Sequence, residues 1–154
     1  IVDLAAGLSD TVMTFLCACQ HRFIVLKNEP SSIADAYGTI KVMIQEHQLD
    51  HIGLIPNGVY SQDEGERLFG SVNSVIQNFL GSHVEYLHSI TQDEMVLRSI
   101  KSSQPLVTFA PSSIASRDFR ALAKVVMDLE SDITMDGGLQ FFIERIATHQ
   151  VKNG

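Results

Sequence analysis

Asp3, Gly7 and the Ser9-Asp10 pair fall close together in Ile1-Val2-Asp3-Leu4-Ala5-Ala6-Gly7-Leu8-Ser9-Asp10. Two β-branched residues lead into an acid, small residues and a glycine follow, and Ser9-Asp10 opens an apolar run. This order predicts the end of a buried parallel strand, a tight turn and the start of a helix. An acid at the carboxyl end of such a strand faces the crevice where α/β proteins bind ligands. A glycine beside it lets the backbone approach a ligand, with its N–H free to meet an anion. An isolated acid in that place more often caps its own turn, and Asp3 taken alone favours that reading.

Other reactive residue types form no convincing constellation. His47 and His51 are four apart but straddle a predicted helix end and strand start, with no glutamate between them in an H-E-x-x-H pattern. They read as solvated helix-end histidines and not as a zinc pair. Asp63, Glu64 and Glu66 read as a solvated helix start favoured by the macrodipole. Cys17 and Cys19 lie two apart in a predicted helix and point in different directions, so they do not bridge, which fits a reducing, cytoplasmic compartment. No G-x-S-x-G elbow and no Cys–His arrangement is present.

The elements that must position Asp3 and Gly7 are those of one α/β domain. The 154 residues are 45% hydrophobic and 19% charged, enough for a sizeable core and unlike a disordered chain. A formal net charge of -7 leaves no basic stripe for phosphates, so direct nucleic-acid binding is not expected. A helix is predicted from Ser9 or Asp10 to about Cys19. Phe23-Ile24-Val25-Leu26 reads as a strand buried on both faces. Ser32 and Asp35 have capping-box spacing ahead of a helix carrying Ile33, Tyr37, Ile40 and Ile44. A strand over His51–Pro56 ends at the turn signal Asn57-Gly58. The helix behind it places Leu68, Phe69, Val72, Val75, Ile76, Phe79 and Leu80 on one stripe, and Gly81 closes it.

The second half continues the alternation. His83 to Leu87 reads as a short strand, and Asp93 begins a helix through Met95, Val96, Leu97 and Ile100. Leu106 to Phe109 reads as a short extended piece. A helix over Ile114–Leu129 turns Phe119, Leu122, Val125, Val126 and Leu129 inward. Asp136-Gly137-Gly138 then breaks the chain before a last helix from Leu139 to about His149. The expected fold is a parallel sheet with helices on both faces, spanning residues 1–130. A linker follows over 131–138, then an amphipathic tail over 139–150. Only two residues precede Asp3, where a strand typically has about 5–6, so the first strand reads as cut and the chain as part of a longer protein.

Four segments together resemble the MinD/ParA-type P-loop ATPases, and within them the branch that regulates flagellar number and placement, the FlhG/FleN type. Residues 3–10 are similar to that family's Walker B and switch II segment. Glu29-Pro30-Ser31-Ser32-Ile33-Ala34-Asp35-Ala36-Tyr37 is similar to its EPTS-x-x-DAY run. Asn57-Gly58-Val59, with Glu64-Gly65 and Phe69, resembles its N-x-V segment. Gln104-Pro105-Leu106-Val107, with Pro111-Ser112-Ser113-Ile114-Ala115, resembles its closing motif.

The resemblance implies ATP and Mg²⁺ as cofactors. Asp3 would be the Mg²⁺-linked acid, through a water, and Gly7 the sensor of the γ-phosphate. Asn57 would meet the donor–acceptor edge of adenine with its amide. It further implies an ATP-dependent homodimer, flagellar assembly or regulatory partners, and peripheral membrane contact through Leu139, Phe142, Ile143 and Ile146. The pattern also departs from the family. No G-x-x-x-x-G-K-[ST] loop lies in the 154 residues, and Lys27, Lys41 and Lys101 lack its glycine context. His88 and Thr91 stand where the family has Gly and Pro ahead of Asp93, and Tyr60 takes a commonly basic place. A non-catalytic interaction module with the same fold is therefore the alternative. A receiver-like domain with Asp3 as phospho-acceptor is a third reading.

Overall fold

A computed structural model describes residues 1–49 and 51–131. Residues 1–9 form no strand. Ile1 and Val2 are exposed, and the half-buried Leu4 alone ties this segment to the core. The expected strand end before Asp3 is thus irregular chain, and among the described residues no strand pairs with it to supply hydrogen bonds. The helix after it does form: α1 spans Asp10–Ala18, and the Ser9 Oγ accepts from the Val12 N–H at 3.4 Å.

Four strands make a parallel sheet. β1 (Arg22–Leu26) pairs with β2 (Ile52–Val59) from Arg22↔Ile52 to Leu26↔Pro56. On its other side β2 pairs first with β3 (Glu85–Tyr86) and then with β4 (Ile90–Thr91). Pro56 has no N–H to donate, and the β1 ladder stops there while β2 runs on beside β4. The expected turn at Asn57-Gly58 is in fact strand. Gly58 at φ +73 absorbs an irregular register between Asn57 and Val59 in place of a reversal.

Among the described residues six helices cover the two faces. α2 (Pro30–Gln45) and α3 (Gln62–Leu80) pack together with α1 on one side. α4 (Glu94–Lys101), α5 (Leu106–Phe109) and α6 (Ile114–Ser131) lie on the other. The alternation of strand side chains decides the partition. Leu26, Ile52 and Leu54 enter the core with Met13, Leu16, Ile40, Met43, Val72 and Ile76. Phe23 and Ile55 point the other way, to Leu87, Ile90, Ala115 and Leu122.

Several local expectations change. α2 starts at Pro30, which needs no N–H in the first turn, and the Ser32 Oγ accepts from the Lys27 N–H at 3.0 Å instead of capping a helix. Leu106–Phe109 is a helical turn, closed by the Ala110 N–H on the Leu106 carbonyl at 2.8 Å. Val25 is 58% exposed, so β1 is covered fully on only one face. Val75 and Phe79 of α3, Leu97 and Ile100 of α4, and Phe119 of α6 face outward.

Candidate functional site

The carboxyl ends of β1, β2 and β4 form a rim, and the loops Lys27–Glu29, Tyr60–Ser61 and Gln92–Asp93 leave from it. Asn57 sits on this rim, half-buried, behind the buried Pro56 and in register with Ile90. The Gln92 N–H donates to the Val59 carbonyl at 2.7 Å and holds the β2 end from the β4 side.

From the β1 side the holder is Glu64, at the third position of α3. The Ser61 Oγ accepts from the Glu64 N–H at 3.2 Å, one half of a capping box. The Glu64 carboxylate reaches back across the rim. Its Oε2 accepts from the Tyr60 N–H at 2.7 Å, and its Oε1 accepts from the Asn28 Nδ2 at 2.9 Å. The Tyr60 N–H, then Asn28, hold its carboxyl below the ordinary range against a smaller opposing effect of burial. Glu64 is therefore a bonded bridge and not the solvated helix-start acid that its place beside Asp63 and Glu66 suggests. The S-x-x-E spacing of Ser61 and Glu64 was the available signal.

Asp93 works likewise at the next loop. It caps α4 through Oδ1, which accepts from the Met95 N–H at 2.9 Å, and its Oδ2 accepts from the Ala115 N–H at 3.2 Å. Those N–H groups, Met95 foremost, lower its pKa, while burial opposes. One carboxylate thereby fastens the starts of α4 and α6. Behind it the buried Asp118 accepts from the Thr91 N–H at 2.8 Å. The His88 Nε2 stands 3.6 Å from the other Asp118 oxygen, beyond hydrogen-bond reach.

Under the rim a polar group of side chains seats α3. The Gln62 Nε2 donates to the Ser89 carbonyl at 3.1 Å, and the Tyr86 hydroxyl lies 2.9 Å from the Ser89 Oγ. Gly65 packs directly on this group; a Cβ there would fall inside the Ser89 side chain, 2.6 Å from its Cβ.

Asp3 and Gly7 lie on exposed chain ahead of α1. Gly7 has φ +120, a conformation that side chains rarely adopt, and no atom lies within 4 Å of a Cβ built on it. Its backbone is therefore open to a ligand's approach, and the nearby Asp3 carboxylate is exposed. Both fit a group held by backbone N–H and by water. Among the described residues no three His, Cys, Asp or Glu side chains converge as a metal cage, and no helix is long and apolar enough to cross a membrane. The tail 139–150, with Leu139, Phe142, Ile143 and Ile146, lies outside the described residues.

No family model matches the chain. It is 34% identical over 149 residues to the antiactivator FleN of Pseudomonas aeruginosa, covering 97% of this chain and 53% of that protein. To the flagellum site-determining protein YlxH of Helicobacter pylori it is 30% identical over 147 residues, covering 92% of this chain and 49% of that one. Among solved structures it superposes on the MinD cell division protein of Aquifex aeolicus with a TM-score of 0.56 and 17% identity. That match covers 71% of this chain and 44% of the other. The chain spans about half the length of the curated relatives it matches.

Proposed function

We propose that this chain, a homologue of flagellar-number regulators with a MinD-like fold, controls flagellar number and placement through an ATP-dependent dimerisation switch. The observation that carries the reading is the match to an antiactivator along 97% of the chain. Within the switch, the Asn57 amide would take the adenine edge from its place on the β2 rim. Asp3 would hold the Mg²⁺ shell through a water, and the Gly7 N–H would turn toward the γ-phosphate. When bound, Mg-ATP supplies the terminal phosphate whose presence or loss a switch segment reports. The phosphate-cradling loop is not among these 154 residues, so their part is metal, γ-phosphate sensing and base recognition.

In this reading residues 1–130 are the ATPase portion, 131–138 a linker and 139–150 a membrane-contacting tail. The partners are a second copy and proteins of flagellar assembly or regulation. The test replaces the encoding gene in its own organism with Asp3→Ala or Asn57→Ala versions and counts flagella per cell by electron microscopy. The expected result is an altered number or position for both variants at normal protein level. Counts equal to wild type in both, and in a strain lacking the gene, overturn the proposal.

A further inference from the structure

We infer that Glu64 is a positioning residue for base recognition: it locks the loop after β1 to the loop after β2 and so fixes the strand end that presents Asn57. The inference rests on the nucleotide reading above. β1 and β2 are paired only as far as Leu26↔Pro56, so Asn28 and Tyr60 leave adjacent strand ends with no ladder between them. Glu64 bridges that gap with its two oxygens, at 2.9 Å to the Asn28 Nδ2 and 2.7 Å to the Tyr60 N–H.

The need for such a bridge lies in Gly58. It follows Asn57 directly, has φ +73, and no atom lies within 4 Å of a Cβ built on it. Gly58 has no side chain of its own to hold it, and Tyr60 beyond it is 80% exposed, while Val59 between them is buried and paired with Thr91. Backbone hydrogen bonding on the two sides of the segment adds to the β4 pairing of Asn57 and Val59. The Gln92 N–H grips the Val59 carbonyl from the β4 side, and the Glu64 carboxylate grips the Tyr60 N–H from the β1 side. Charge-assisted bonds of this kind are short and strong, and a carboxylate can accept from both donors at once. Glutamine keeps one accepting oxygen for the Tyr60 N–H but presents an amine to the Asn28 amine, so it preserves half of the bridge.

The experiment measures the preference for Mg-ATP over Mg-GTP by competition against a fluorescent N-methylanthraniloyl ATP. The full-length gene product is compared as wild type, Glu64→Ala, Glu64→Gln, Asn28→Ala and Asn57→Ala. Asn57→Ala should abolish the preference. Glu64→Ala should lower it by about tenfold, the loss of one amide–base contact, and leave GTP affinity unchanged. Glu64→Gln, which keeps the Tyr60 arm and loses the Asn28 arm, should recover part of it and match Asn28→Ala, with the GTP affinity unmoved in both. Asn28→Ala removes one arm from an exposed loop and should act in the same direction even if Glu64→Ala proves unstable. An undiminished preference in Glu64→Ala and Asn28→Ala, with Asn57→Ala losing it, overturns the positioning role and leaves the nucleotide reading intact. A wild-type protein without preference overturns that reading and the positioning role with it.

Discussion

Gly65→Ala puts a single methyl group where the structure has no room for it. Gly65 is in the first turns of α3, its N–H donates to the Ser61 carbonyl at 3.2 Å, and it is buried against Ser89. In a helix interior the change from glycine to alanine by itself stabilises by about 1 kcal/mol. Here the new Cβ meets the Ser89 side chain, 2.6 Å from its Cβ, and Pro56 stands 3.5 Å away. The Ser89 Cβ cannot rotate aside as the end of a long side chain can. Its carbonyl and hydroxyl are tied to Gln62 and Tyr86, and the residue is fully buried. Overpacking of this kind costs about 1–3 kcal/mol, and the rigidity of the contact argues for the upper end. The net expectation is a loss of about 2 kcal/mol, or a Tm lower by about 4–8 °C for a chain of this length. Gly70→Ala is the internal control. It lies in the same helix with nothing within 4 Å of its Cβ, and should raise stability by up to about 1 kcal/mol. Urea denaturation of both variants, and of Gly65→Ala combined with Ser89→Gly, gives the comparison. The double variant should recover much of the loss, because its partner atoms are gone. If Gly65→Ala proves as stable as Gly70→Ala, the close approach of α3 to Ser89 is wrong.

Two further outcomes are expected. Arg22 is buried, and its guanidinium donates to the carbonyls of Leu16 at 2.8 Å, Cys19 at 2.6 Å and Gln20 at 3.3 Å, closing the end of α1. Arg22→Met strands those carbonyls and should lower stability by about 2–4 kcal/mol, with Arg22→Lys recovering only part, as read from urea midpoints. Glu64 and Asp93 both have carboxyls lowered by hydrogen bonds, so their contributions are present above the ordinary carboxylate range and fade as pH falls through the lowered folded-state values. Wild-type stability should therefore drop below about pH 4, and Asp93→Asn should flatten that acid limb in melts run from pH 6 to pH 3.

The layers of the fold were legible because burial imprints a period on the chain. The helices α1, α3 and α6 and the strands β1 and β2 follow from apolar spacing and from end signals such as Ser9 and Gly81. What escaped were features with no period to read. β4 has only two residues and exists because β2 runs on past Pro56 to meet it. Gly58 looks like a turn residue in sequence and serves as a bulge in a strand. The outward turn of Phe79 and Phe119 shows that an apolar stripe can be wider than the surface that covers it. Of the expected site residues, Asn57 reads in sequence as part of a turn after Pro56 and lies within β2. Sequence could not show that a restraint on the β2 end comes from Glu64, since the bond to Asn28 joins residues 36 apart.

The departures from the MinD/ParA-type pattern gain a physical reading from the same principle. Of His88 and Thr91, which stand where the resemblance implies glycine and proline, Thr91 bonds Asp118 and His88 lies beside it. Thr91 donates its backbone N–H to one carboxylate oxygen at 2.8 Å, and the His88 ring lies 3.6 Å from the other. A proline at position 91 has no N–H to give, so the bond to Asp118 depends on the departure itself. Asp118 is buried in α6, and a buried carboxylate is costly unless donors meet it. With Asp93 joining the starts of α4 and α6, and Asp118 tying α6 to β4, two acids anchor the last described helix to the carboxyl rim. The departure at Thr91 thus supplies the N–H that ties α6 to β4, the strand beside Asn57.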